Sequence, residues 1–158
     1  MFRKIRRTKN ELPVESTKAL LRTNRRAALA VHGDDGYPYA IPVDFWYDET
    51  ENRIYFHSAK AGHKIDAICA NDKVCLTTWD DGELKDGDWA YYVSSCVVFG
   101  RAHLVNDLQV TREKIKRFAM KYYPTEEEVD REIAESIHSV QMVAIDIEHI
   151  SGKRVHEK

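Results

Sequence analysis

The sequence is short of cysteine, proline and long apolar runs, and each shortage removes a class of protein. Its three cysteines, Cys69, Cys75 and Cys96, are an odd number with no CxxC pair. A disulfide framework is therefore not expected, and a reducing cytoplasm is the natural setting. All three read as small buried hydrophobes. No stretch approaches the roughly 18 apolar residues that a membrane span needs. The N-terminus carries Arg3, Lys4, Arg6 and Arg7 but no apolar segment or cleavage site, so it reads as a solvated arm rather than a secretory signal. Charge of one sign is also lacking: 24 Lys and Arg stand against 26 Asp and Glu, a formal charge of −2. That balance favours neither nucleic acid nor a membrane surface as partner. No GxGxxG, GxxxxGK[ST] or GxSxG run occurs, which removes the Rossmann, P-loop and nucleophile-elbow readings.

What remains is a chain of 158 residues, 43% hydrophobic and 32% charged, the profile of one globular domain. It is expected to span 1–158, with its core at about 14–155. Residues 14–21 suggest a short helix. Ala27, Leu29 and Val31 alternate with smaller or polar residues and suggest a strand, followed by the turn signal Asp35-Gly36. Tyr39, Ile41, Val43, Phe45 and Tyr47 then lie on one face of a strand, with Ala40, Pro42, Asp44 and Trp46 on the other. A strand is expected at 53–59, a short helix at 64–70, and a further strand at 73–79. The stretch 80–88, rich in Asp and Gly, reads as a polar loop. Residues 91–105 form a long strand or a bent pair, with Gly100 as the bend. Two helices follow, opened by capping boxes at Asn106 with Gln109 and at Thr125 with Glu128. A strand over 140–150 ends the pattern. Antiparallel strands joined by short turns point to a mainly β fold with flanking helices. A six-stranded antiparallel barrel removes the open edges that such strands would otherwise leave.

Two segments could carry chemistry. Pro42 interrupts a strand where a ladder donor belongs. It marks either a plain edge strand or a backbone freed to face a planar, partly apolar ligand, with Ile41, Val43 and Asp44 beside it. The run His57-Ser58-Ala59-Lys60-Ala61-Gly62-His63-Lys64 joins a strand end to a helix start. His63 and Lys64 would oppose the helix dipole there, and a bound anion would reverse the sign. The alternative is an ordinary surface turn. His57 and His63 have no third partner at metal-ligand spacing, so no metal site is expected. Trp46, Trp79 and Trp89 could line a ring pocket or pack in the core or at a dimer interface.

In order and spacing these segments resemble one family. Tyr37-Pro38-Tyr39-Ala40-Ile41-Pro42-Val43-Asp44-Phe45, Ile54-Tyr55-Phe56-His57-Ser58-Ala59 and Gly62-His63-Lys64-Ile65-Asp66 resemble the flavin-binding split barrels related to pyridoxamine 5′-phosphate oxidase. Val97-Val98-Phe99-Gly100-Arg101-Ala102 and Ile150-Ser151-Gly152-Lys153 are similar to its 5-nitroimidazole-resistance branch. The resemblance covers roughly 27–153. It implies a split β-barrel that binds FMN and works as a homodimer, with FMN at the subunit interface. It puts Ile41, Pro42, Val43 and Asp44 beside the flavin ring, His57, Ser58 and Ala59 near the ring and ribityl chain, and Gly62, His63 and Lys64 at the phosphate. His63 stands where oxidase relatives carry arginine, and the C-terminal arginine-rich pattern of the true oxidases is missing. The implied activity is a flavin-dependent reductase of small molecules such as nitroaromatics or quinones, with no catalytic acid assigned. The alternative is a flavin- or haem-binding barrel without turnover, with His32 or His103 as candidate axial ligands.

Overall fold

The computed structural model describes residues 1–158. Helix α1 (Val14–Thr23) precedes strands β1 (Arg26–His32), β2 (Pro38–Asp44), β3 (Trp46–Asp48) and β4 (Arg53–Ala59). Helix α2 (His63–Ala70) leads into β5 (Lys73–Trp79) and β6 (Tyr92–Val105). Helices α3 (Leu108–Met120) and α4 (Glu126–Ser136) come before the last strand, β7 (Val140–His156). The seven strands form one antiparallel sheet in the order β2-β1-β5-β6-β7-β4-β3. Its two end strands, β2 and β3, are consecutive in sequence and separated by Phe45 alone. The chain therefore curls the sheet back on itself, and the split lies between β2 and β4.

The expected six strands become seven because the segment through Tyr47 breaks. Phe45 turns into the core with 0% exposure, β2 pairs with β1, and β3 pairs with β4. Two groups from the end of α3 hold the break. Phe45 N–H donates to the Tyr122 hydroxyl at 2.9 Å, and Phe45 C=O accepts from Lys121 Nζ at 3.0 Å.

Both faces of β4 and β7 are covered, which explains the unbroken apolar run Ile54-Tyr55-Phe56. Ile54, Phe56, Val143 and Ile145 enter the barrel core with Leu29, Leu76 and Val98. Tyr55, Met142 and Ala144 point the other way, into a second cluster with Ile115, Ala119, Val129, Ile133 and Ile137 of the helical side. Helix α2 adds Ile65, Ala67 and Ile68 to the barrel core.

Several details depart from expectation. The cap of α3 is Asp107, whose side chain accepts from Gln109 N–H and Val110 N–H, not Asn106. Asp107 has the shorter reach to both donors and carries charge toward the dipole. The Thr125–Glu128 box forms as expected. Strand β7 runs on to His156 because β6 offers it partners as far as Tyr92. The bend at Gly100 is a bulge: Phe99 pairs with His149 and Gly100 with Ile147, so Glu148 is the extra residue. Cys96 is buried, but Cys75 is only half-buried and Cys69 is exposed, against expectation.

Candidate functional site

The split between β2 and β4 brings the two sequence segments together. Strand β2 pairs only with β1, so its other edge is open. Pro42, which cannot donate, sits on that edge strand opposite Ala28. Pro42, Val43 and Asp44 line one wall of a cleft of about 320 Å³, with His57 and Lys64 opposite and Arg26 at its mouth. A second, larger cleft of about 930 Å³ shares Arg26 and Pro42 and continues over Ile41, Ala28 and the exposed Trp79. Together they span the size range of small-molecule pockets.

Lys64 is the anomaly of the site. It is half-buried, forms no ion pair, and lies 5.6 Å from the Phe56 ring. Burial holds its amine below the usual lysine range. A lysine in that position costs stability unless an anion meets it. Just before it, Gly62 has φ +129° and nothing lies within 4 Å of where a Cβ would stand. The α2 N–H groups of His63 and Lys64 come before the first helical bonds, which run from Ile65 N–H and Asp66 N–H to Gly62 C=O. A free cation, open space and unpaired donors thus coincide at one helix start.

His57 lies between α2 and α3, with its ring edge-on to Phe118 at 4.9 Å. Its surroundings lower its pKa through burial, partly countered by Asp44, while Lys64 pushes in the same direction as burial. It is therefore biased toward neutral imidazole, able to donate one hydrogen bond and accept another.

Other expected site residues lie elsewhere. His63 stacks on Tyr39 at 4.1 Å and faces Asp34 at 3.5 Å, at the opposite end of β2 from the cleft. Ser58 and Ala59 continue β4 toward the Gly62 turn, pairing with Gln141 and Val140, and do not line the cleft. Asp44 is engaged by Arg26 at 3.3 Å. Arg26 escaped notice in the sequence because only the β1–β2 register sets it across from Asp44. His103 pairs with Asp146 at 3.3 Å and His32 is exposed; neither reaches the cleft. Among the tryptophans, Trp46 stacks on Tyr55 while Trp79 and Trp89 are exposed.

The middle of the outward side of β2, β1, β5 and β6 carries no charge; charge is confined to its ends at Arg26, Asp44, Lys73 and Arg101. Across the strands Pro42, Ala28, Thr77 and Val97 form one row, and Ala40, Ala30, Cys75 and Phe99 form the next. Phe2 stacks over Phe99 at 5.5 Å at its margin. No group of His, Cys, Asp and Glu side chains is arranged to hold a metal ion. No helix is long and apolar enough to cross a membrane.

A curled antiparallel sheet with a half-buried, unpaired cation at its split defines a split β-barrel. The sequence profile of the pyridoxamine 5′-phosphate oxidase family matches residues 13–154, and the chain belongs to that family. Similar solved structures include a flavocytochrome from Azotobacter vinelandii, 26% identical, TM-score 0.78, covering 95% of this chain and 71% of that one. A candidate 5-nitroimidazole antibiotic resistance protein from Bacteroides thetaiotaomicron is 17% identical, with TM-score 0.78, covering 92% and 87%. An FAD-binding protein from Mesorhizobium loti is 23% identical, with TM-score 0.67, covering 92% and 96%. Among curated proteins no significant match is found.

Proposed function

We propose that this protein binds FMN in the cleft between β2 and β4 and acts as a flavin-dependent oxidoreductase on a small molecule. The observation that carries the reading is Lys64: a half-buried amine without a counter-ion, at a helix start with open space before it. One such cation matches the single terminal phosphate of FMN. Ser58, next to the Gly62 turn, forms no side-chain hydrogen bond within the chain and would add a donor to the same phosphate or to the ribityl chain. The unpaired edge of β2 at Ile41, Pro42 and Val43 would offer backbone groups to the polar rim of the ring, and Asp44 with Arg26 would close the cleft's mouth. Bound FMN supplies hydride and single-electron chemistry, while the protein binds, orients and excludes water. His57, biased toward its neutral form at the cleft wall, can hold a hydrogen bond to whatever lies there.

The uncharged middle rows on the outer face of β2, β1, β5 and β6 support a homodimer that buries them, with the charged ends and the clefts along its margin. The lack of a disulfide supports a cytoplasmic setting. The nitroimidazole-resistance relative supports nitroaromatic reduction as the substrate class to try first.

The test is the absorption spectrum of the purified protein, then titration with FMN and reduction by NADH or NADPH. Flavin bands, or saturable FMN uptake, are expected. Neither appearing would reject the reading, and chromatography of the released flavin separates FMN from FAD. The flavocytochrome relative supports a second reading, a haem-binding barrel without turnover, and a Soret band in the same spectrum would identify it.

A further inference from the structure

The second apolar cluster is incompletely filled. A cavity of about 120 Å³ lies between α3, α4 and β4, walled by Ile115, Phe118, Ala119, Val129, Ile133 and Ile137. All six are buried. Protein interiors pack as densely as organic crystals, and voids wider than a water are few. Apolar voids of similar size stay dry and take up a single aromatic ring.

The cavity's two ends differ. Glu128, Glu132 and Ser136 stand on the solvent side, with Ser136 Oγ donating to Glu132 Oε1 at 2.9 Å. The other end reaches His57, which also walls the β2–β4 cleft. His57 makes no side-chain hydrogen bond within the chain, so its ring nitrogens are open to a guest.

We infer that this cavity is a binding pocket for one small aromatic ring, neutral or cationic, entered past Glu128 and Glu132 and meeting the cleft at His57. The volume admits one five- or six-membered ring. The apolar walls favour its burial. The two carboxylates at the rim oppose an anion and accept a neutral or positive guest. His57, itself exposed, offers one polar contact at the end that meets the cleft. Phosphorylated or carboxylated substrates are thereby selected against. The pocket's role as a substrate seat rests on the flavin reading above; the existence of the pocket does not.

Benzene and benzoate are suitable probes, added to FMN-loaded protein with carbon-13-labelled isoleucine methyls. Benzene should shift the methyls of Ile115, Ile133 and Ile137 saturably and perturb the flavin absorbance. Benzoate at the same concentration should do neither. Ala119→Phe fills the void and should weaken benzene about tenfold or more while FMN affinity stays within about twofold. Ala119→Met, a smaller intrusion, should act in the same direction if the phenylalanine variant does not fold. Benzene shifts scattered onto Ile41 or Ile150, no saturable shift, or equal binding of benzoate would overturn the inference. A protein that takes up no FMN rejects the flavin reading instead, and is known by its missing flavin bands. The methyl shifts then still decide the pocket.

Discussion

At Lys64 and Lys114, two lysines lose water for opposite reasons. Lys64 has no partner, and its charge is a cost that a bound phosphate would offset. Lys64→Ala should weaken FMN binding about tenfold to a hundredfold, the worth of a charge-assisted hydrogen bond, and raise the Tm of the flavin-free protein slightly by removing the uncompensated charge. A titration beside a thermal melt checks both. Lys114 is buried with partners: Nζ meets Asp48 at 3.2 Å and Glu51 at 2.5 Å, and Asp48 is only 3% exposed. Burial alone would raise the Asp48 pKa, but hydrogen bonds from Thr50 and Lys114 outweigh it and the net shift is downward. Glu51 is lowered by Lys114 and by the Tyr55 hydroxyl. Carboxylates depressed in the folded state contribute fully above their unfolded pKa of about 4 and lose that contribution as pH falls through the folded values. Burial would lower the Lys114 pKa, yet Glu51 and Asp48 raise it overall, so its share persists at neutral pH and fades only above about pH 10. Lys114→Met should cost about 3 kcal/mol at pH 7 by leaving Asp48 buried without its counter-ion. That cost should shrink as pH falls below about 4. Urea unfolding at both pH values would show it, and an unchanged cost at low pH would contradict the ion-pair account.

Among the elements, the packing of α1 on β7 depends on a glycine. A Cβ on Gly152 would collide with the Thr17 hydroxyl oxygen. Thr17 is itself buried and donates to Pro13 C=O at 3.0 Å, so it has little room to move. Gly152→Ala should therefore destabilise by about 1–3 kcal/mol, read from denaturant unfolding, with FMN affinity little changed. The Ile150-Ser151-Gly152-Lys153 motif was visible in the sequence, but the reason for its glycine was not, because Thr17 is far away along the chain. Strands Arg53–Ala59 and Lys73–Trp79 were legible to the residue, the first as a short apolar run and the second by its period-two pattern, each set off by polar or turn residues. The break at Phe45 was not legible. An unbroken alternation from Tyr39 to Tyr47 fits one straight strand as well as two. Only Lys121 and Tyr122, arriving from α3, show that the backbone there bonds to a helix end.

Across the whole molecule, the outer face of β2, β1, β5 and β6 is the surface that a second copy would cover. Val97→Arg places a charge at the β6 end of the uncharged row through Ala28 and Thr77, at a residue that lines neither cleft. Size-exclusion chromatography should show a shift from dimer to monomer with far-ultraviolet circular dichroism retained. A variant that stays dimeric would move the interface elsewhere. The sequence by itself determined the elements, the mainly β class and the two segments that bear on a ligand, because periodicity, turn residues and helix caps act over short stretches of chain. The tertiary structure decided which of the site residues share a cleft. It joined Pro42, Val43, Asp44, His57 and Lys64, added Arg26, and turned His63 toward Tyr39 and Asp34. It also opened the cavity beneath α3 and α4. These outcomes depend on how the sheet curls and where its split falls, and that is set by contacts between residues distant in the chain, which no local pattern encodes.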